Sequence, residues 1–218
     1  MRKEGSAISG RYIVIGAGAV GATVAAQLDG AGIGVVAVAR GANLEALRSQ
    51  GLRYIRPDGD RRVALEVAGG PDEVDLRADD VLVLAAKSQD SEALLQQWAW
   101  RPVDVHGTVR TAAEVLPILV LQNGLENARA ALRRFATVVD AVVILPSSHL
   151  RPGEVVSPSA PIVGAFYLGR AGRAPRGRDS IVGDSILGDP IAGGPITEDP
   201  ITEDPTVDDP TVDDPTVE

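Results

Sequence analysis

Three glycines spaced Gly16-x-Gly18-x-x-Gly21 stand directly after the apolar run Tyr12-Ile-Val-Ile15 and ahead of an alanine-rich stretch that reaches Leu28. A tight strand-to-helix turn needs the first glycine, the second lets backbone approach a pyrophosphate, and the third lets the helix lie close on its strand. With Ala17, Ala19 and Val20 between them, these residues would offer unpaired backbone N–H groups at the positive end of a helix dipole, which is a phosphate site. The segment predicts dinucleotide binding. A purely structural glycine turn is the competing reading, and the strand before and helix after weigh against it.

The next strand, Gly34-Val-Val-Ala-Val-Ala-Arg40, ends where the fingerprint carries an acidic residue if the ligand is NAD. This chain offers Arg40 instead. A carboxylate would bond the ribose 2′-hydroxyl and repel a 2′-phosphate, whereas a guanidinium can grip that phosphate with two parallel hydrogen bonds. NADP is therefore expected over NAD, against the alternative of a solvated arginine closing a strand. Two further strand ends carry polar residues: Lys87 after Val81-Leu-Val-Leu-Ala-Ala86, and Gln122-Asn123-Gly124 after Pro117-Ile-Leu-Val-Leu121. In open α/β sheets ligands sit outside the carboxyl ends of the strands, so both would open onto the crevice that holds the glycine turn. Lys87 can bond the nicotinamide ribose or a substrate carboxylate, and Asn123 can orient nicotinamide or substrate by donating and accepting together. The alternative is a solvated strand end and an ordinary Asn-Gly turn.

The elements that must position these residues follow from the alternation of apolar runs with amphipathic stretches. It predicts an α/β, Rossmann-like, doubly wound and mostly parallel sheet over residues 11–168. A helix containing Leu44 and Leu47 is expected to end near Gly51, and a hairpin-like excursion spans Leu52 to Val67 around Pro57-Asp-Gly-Asp60. Ser88 is expected to cap the helix running toward Trp98. Helix follows from Glu126 to Phe135 and strand from Val138 to Leu145, while Val155 to Leu168 adds one or two strands at the sheet's edge. Residues 100–114 are ambiguous by pattern. Trp98 and Trp100 cannot share a helix face, so one is expected in the core and the other covering it.

Residues 1–10 read as a flexible N-terminus and residues 169–178 as a basic linker. From Asp179 the chain falls into eight pentads, from Asp179-Ser-Ile-Val-Gly183 to Asp214-Pro-Thr-Val-Glu218, with proline at every fifth position from Pro190. Proline lacks the N–H that helices and central strands need and the charge is uncompensated, so residues 179–218 are expected to be a disordered acidic repeat tail. That tail carries 12 Asp and Glu and no Lys or Arg, whereas residues 1–178 hold 21 Lys and Arg against 18 Asp and Glu. The formal net charge of −9 therefore belongs to the tail, and nothing in the charge favours nucleic acid as a partner. Cysteine is absent, which removes disulfides, thiolate nucleophiles and cysteine metal sites, and no metal is expected. No apolar run approaches the roughly 18 residues of a membrane span, and the N-terminus lacks a signal-peptide core. A soluble cytoplasmic protein without a membrane partner is expected, with oligomeric state, a homodimer included, left open.

The ordered series Gly16-Ala-Gly-Ala-Val-Gly21, Arg40, Gly51-Leu52, Val83-Leu-Ala-Ala-Lys87-Ser-Gln89 and Leu119-Val-Leu-Gln-Asn123-Gly124 resembles the ketopantoate reductase family, with a weaker match at Leu150-Arg-Pro-Gly153-Glu-Val155. The resemblance implies an NADP-dependent 2-dehydropantoate 2-reductase, which passes a hydride from NADPH to the 2-keto group of ketopantoate in pantothenate and coenzyme A biosynthesis. By the same resemblance Gly16, Ala17, Gly18, Ala19, Val20, Gly21 and Arg40 would hold NADP, and Lys87 and Asn123 would contact cofactor and the 2-keto acid. The family also has an all-helical second domain whose lysine protonates the nascent alkoxide. No such domain is read after Arg178, and the only lysines are Lys3 and Lys87, so the catalytic proton donor is unassigned. Two alternatives stand beside the enzyme: a non-catalytic NADP-binding module or truncated pseudoenzyme, and a scaffold whose acidic repeat is the functional part.

Deleting residues 179–218 is expected to leave melting temperature and cofactor affinity nearly unchanged, because the pentads have little apolar surface to pack. A fall of several degrees at physiological salt in a thermal melt would contradict a disordered tail.

Overall fold

A computed structural model describes residues 10–172. The expected tail at 179–218, residues 1–9 and residues 173–178 lie outside the described residues.

In chain order the elements are β1 (Tyr12–Ile15), α1 (Ala19–Gly30), β2 (Val35–Val38), α2 (Gly41–Gln50), β3 (Leu52–Arg56), β4 (Gly59–Val63), β5 (Glu66–Ala68), β6 (Val81–Leu84), α3 (Ser88–Ala99), β7 (Pro102–Val105), β8 (Thr108–Thr111), α4 (Ala112–Val115), β9 (Ile118–Val120), α5 (Leu125–Leu132), β10 (Val138–Ile144), β11 (Ser148–Arg151), β12 (Glu154–Val156) and β13 (Ala165–Arg170). The central sheet has the order β13-β10-β9-β6-β1-β2-β5, parallel except where β13 runs antiparallel to β10. This is the Rossmann-like, mostly parallel α/β sheet that the alternation predicted. The chain winds from β1 toward β2 on one side and resumes at β6 on the other, so the order reverses between β1 and β6.

Successive side chains along each strand divide the core between two faces. Ile13, Ile15, Val36, Val38, Leu82, Leu84, Ile118 and Val120 pack with Leu95 and Trp98 of α3, Ala112 of α4 and Ala131 of α5. Val14, Ala37, Val83, Ala141 and Val143 face α1 and α2. Helix α1 has a further layer outside it, a second sheet of order β11-β12-β3-β4 that contributes Leu52, Tyr54, Val63 and Val155 to the same cluster. A helix covered on both sides favours small residues at its closest contacts, which accounts for its buried Ala22, Ala25 and Ala26. Polar contacts tie it outward too: Gln27 Nε2 donates to Tyr54 Oη at 2.9 Å, and Arg61 Nη2 donates to the Ala26 carbonyl at 2.8 Å.

Several expectations are corrected here. The excursion at Leu52 to Val67 is a β3–β4 hairpin as read, but β3 also pairs with β12 in the second sheet, and Glu66–Ala68 returns as a parallel neighbour of β2. Of the strands expected at the central edge between Val155 and Leu168, only β13 lies there; β12 joins the outer sheet, where Val155 is fully buried over α1. Pro158 and Pro161 separate the two, since neither can donate to a ladder. The ambiguous residues 100–114 form a β7–β8 hairpin leading into the short α4. There the Glu114 carboxylate accepts hydrogen bonds from the Thr111 backbone N–H and hydroxyl, both at 2.9 Å, which hold its pKa below the ordinary value. Trp98 is fully buried, but Trp100 is largely in solvent, 68 % exposed at the end of α3, rather than laid over the core.

One buried charge fastens the entries of β1 and β6. Asp80, 1 % exposed, accepts from Arg11 Nε at 2.9 Å and from the Arg77 backbone N–H at 2.8 Å. Asp80→Ala is expected to destabilise the protein by about 2–4 kcal/mol, because it leaves the largely covered Arg11 guanidinium with only the Asp75 carbonyl and the more distant Glu66 carboxylate, and the Arg77 N–H without its acceptor. Urea denaturation measures this, and a loss below about 1 kcal/mol would show that Arg11 finds water instead.

Candidate functional site

The carboxyl ends of β1, β2, β6 and β9 open onto a cleft of about 1050 Å³ at the point where the strand order reverses. This is where doubly wound sheets take their ligands. Its floor is the turn between β1 and α1. Gly16 has φ of +107°, in the region that favours glycine, and a Cβ on it would lie 2.7 Å from the Ala86 nitrogen. A Cβ on Gly21 would overlap the Gly16 carbonyl oxygen and press on the Ala85 side chain. Gly18 differs, because a Cβ there would meet nothing within 4 Å and would project into open space. Two glycines thus permit the fold, and the third keeps the cleft clear.

The turn's hydrogen bonds complete this division. Gly16 and Ala17 both donate backbone N–H groups to the Val38 carbonyl, at 3.1 and 2.9 Å, which staples the turn to the end of β2. The first intrahelical bond is Ala22 N–H to Gly18 O at 2.9 Å, so the amides of Ala19, Val20 and Gly21 precede the helix's internal pairing. Unpaired amides, the positive dipole end and an unobstructed approach over Gly18 together fit an anionic diphosphate.

Two side chains with no role assigned from sequence, Asn43 and the strand-end Gln122, hold this arrangement. Asn43, in the first turn of α2, donates Nδ2 to the Ala17 carbonyl at 2.8 Å and accepts through Oδ1 from the Gly153 backbone N–H at 2.8 Å. It links the glycine turn to the β11–β12 turn, more than 100 residues away. Gln122, 8 % exposed, donates Nε2 to the Ala86 carbonyl and to Ser91 Oγ at 2.8 Å, joining the ends of β9 and β6 to α3. Its signal was its position as a polar residue ending an apolar strand, but a sequence does not say which neighbouring carbonyl it meets.

The predicted strand-end residues all border the cleft in different states. Lys87 is exposed and makes no side-chain hydrogen bond or ion pair among the described residues. It, rather than Ser88, is the capping position of α3; Ser88 begins the helix, and its Oγ accepts from Asn127 Nδ2 at 2.9 Å. Asn123 pairs with the Val143 backbone, accepting its N–H at 2.9 Å and donating to its carbonyl at 3.1 Å. One amide N–H and one oxygen lone pair remain for a ligand. Arg40, at the tip of β2, donates Nη2 to Asp90 Oδ2 at 2.8 Å with its side chain 80 % exposed.

The contrast among the glycines is testable without a ligand. Gly21→Ala is expected to cost about 1–3 kcal/mol by overpacking and to lower the melting temperature by several degrees. Gly18→Ala should leave it within about a degree, because nothing is displaced. Differential scanning calorimetry of both variants checks this, and equal losses would refute the assignment of roles.

The model of the family "Ketopantoate reductase PanE/ApbA" matches residues 12–171. A 2-dehydropantoate 2-reductase of Mesorhizobium japonicum is 42 % identical over 90 residues, which are 41 % of this chain and 27 % of that protein. The crystal structure of 2-dehydropantoate 2-reductase from Geobacter metallireducens superposes with a TM-score of 0.56 at 28 % identity, covering 73 % of this chain and 49 % of the other. D-mandelate dehydrogenase in complex with NADH superposes with a TM-score of 0.59 at 17 % identity, over 76 % of this chain and 48 % of that one, a likeness of fold. The chain thus spans about a quarter of the curated relative and about half of the solved structures. With the match running from the first residue of β1 to just past the end of β13, this chain belongs to the PanE/ApbA ketopantoate reductase family.

Proposed function

We propose that the described domain binds NADP(H) across the strand-end cleft and serves a 2-dehydropantoate 2-reductase reaction on a small 2-keto acid. The observation that carries this is the open approach over Gly18 onto the three leading amides of α1. NADPH, when bound, supplies the hydride. The chain's own residues bind and orient: the amides of Ala19, Val20 and Gly21 hold the pyrophosphate, and Arg40 meets the 2′-phosphate with guanidinium N–H groups that Asp90 does not occupy. At the other end Lys87, free of protein partners among the described residues, binds the substrate carboxylate or the nicotinamide ribose. The remaining N–H and lone pair of Asn123 orient the neighbouring group. A cytoplasmic setting belongs to this reading and is supported by the cysteine-free sequence.

The second reading is a non-catalytic NADP-binding module. It is favoured by the chemistry of the alkoxide that hydride transfer creates, which must take up a proton. Among the described residues Lys87 is the only lysine.

Calorimetric titration is expected to give NADPH an affinity about 10- to 150-fold above that of NADH, corresponding to a charged contact of about 1.5–3 kcal/mol. Arg40→Ala should erase the difference. Equal affinities in the parent chain would sink the NADP assignment. With ketopantoate, NADPH oxidation by the 218-residue chain is expected to fall below the ordinary enzyme range of roughly 1–10³ s⁻¹. Turnover within that range would remove the non-catalytic reading, and a Lys87→Ala variant that keeps its affinity for ketopantoate and NADPH while losing turnover would assign proton donation to Lys87.

A further inference from the structure

The Arg40–Asp90 ion pair crosses the cleft. Arg40 leaves the tip of β2, Asp90 is the third residue of α3, and both border the opening where they meet at 2.8 Å. The carboxylate is held in place by its helix, since the Asp90 backbone N–H donates to the Lys87 carbonyl at 2.9 Å and the side chain lies at the positive dipole end. Its side chain is 28 % exposed against 80 % for Arg40, so the acid is the fixed partner and the arginine the extended one. The dinucleotide fingerprint places a carboxylate at the tip of β2 to accept the ribose 2′-hydroxyl. Here that tip carries a cation, and a carboxylate arrives at the same place from another helix.

Resting on the reading of the cleft as an NADP(H) site, we propose that Asp90 is a specificity-determining residue that competes with the 2′-phosphate for Arg40. Asp90 thereby holds the preference for NADPH over NADH below the value Arg40 alone would set. A 2′-phosphate that reaches Arg40 either displaces Asp90, losing the ion pair, or sits beside it, placing two anions on one guanidinium. Both weaken binding. The uncharged 2′-hydroxyl of NADH suffers neither. An ion pair this exposed is weak, so the competition amounts to about 3- to 10-fold in affinity and does not block the phosphate.

The test is calorimetric titration of the full chain with NADPH, NADH and 2′,5′-ADP, which carries the 2′-phosphate without nicotinamide. Asp90→Asn removes the charge at constant shape, and Asp90→Ser supplies a second variant compatible with a helix's first turn. Either is expected to tighten NADPH and 2′,5′-ADP by about 3- to 10-fold and to leave NADH within about twofold. In an Arg40→Ala background the gain should vanish, because no guanidinium remains to be freed. Unchanged or weaker NADPH binding in both Asp90 variants overturns the proposal, as does equal tightening of NADH or a gain that persists undiminished without Arg40. If Arg40→Ala selectively weakens NADPH while the Asp90 variants change nothing, the proposal alone fails. If Arg40→Ala leaves the NADPH-to-NADH ratio untouched, the NADP reading fails with it.

Discussion

The distance between the β1–α1 turn and the ends of β2 and β6 governs the geometry of the cleft. Gly16 and Ala17 both hang on the Val38 carbonyl, and the Gly16 α-carbon faces Ala86 with no room for a side chain between them. On the β6 side Ala85 donates its N–H to the Ile15 carbonyl at 2.9 Å, so the three strand ends are drawn to one level. Arg40 follows Val38 by two residues and Lys87 follows Ala86 directly, so both inherit their positions from these contacts. A turn lifted by a single methyl group would shift the amides of α1 away from the two cations. Close packing transmits such a change because the interior has few voids to absorb it.

The outer sheet is the counterpart of that constraint. Helix α1 can approach the central sheet closely because Gly21, Ala22, Ala25 and Ala26 are among its buried residues, and its outer face would be left uncovered by the central sheet alone. Leu52, Tyr54, Val63 and Val155 fill that side. Asn43 then connects cover and turn, reaching Ala17 with one polar atom and Gly153 with the other. Gly153 has φ of +72°, and a Cβ there would lie 3.0 Å from the Ala46 side chain, so the β11–β12 turn sits down on α2. A segment near residue 150 therefore braces the glycine turn near residue 18.

Family membership and fold likeness carry different weight here. The family model spans the whole described sheet, whereas the superposition on D-mandelate dehydrogenase extends over a similar share of the chain at 17 % identity. One sheet with one glycine turn can serve different chemistries, because the fold presents strand ends and the residues placed on them select the ligand. In this chain the polar side chains at the strand ends differ in how far the protein itself occupies them. Gln122 is spent on Ala86 and Ser91, Asn123 keeps half its capacity, and Lys87 keeps all of it among the described residues.

Local patterns in the sequence determined the sheet, its glycine turn and the strand ends bearing Arg40, Lys87 and Asn123, because turn chemistry and apolar periodicity act over a few residues. The helix boundaries around Gly51 and the hairpin at Pro57 to Asp60 were legible for the same reason. Only tertiary structure decided which strands share a sheet: Val155 reads like any edge strand until β3 is beside it, and Glu66–Ala68 reads like the end of a hairpin until β2 is. The capping of α3 also escaped the sequence, since Ser88 is an apt cap by type but its hydroxyl is engaged by Asn127 from α5. The partners of the polar residues escaped it entirely. Asn43 with Gly153 and Arg40 with Asp90 are pairs separated by 110 and 50 positions, and a hydrogen bond or ion pair at that separation depends on the fold bringing two chain segments within 3 Å.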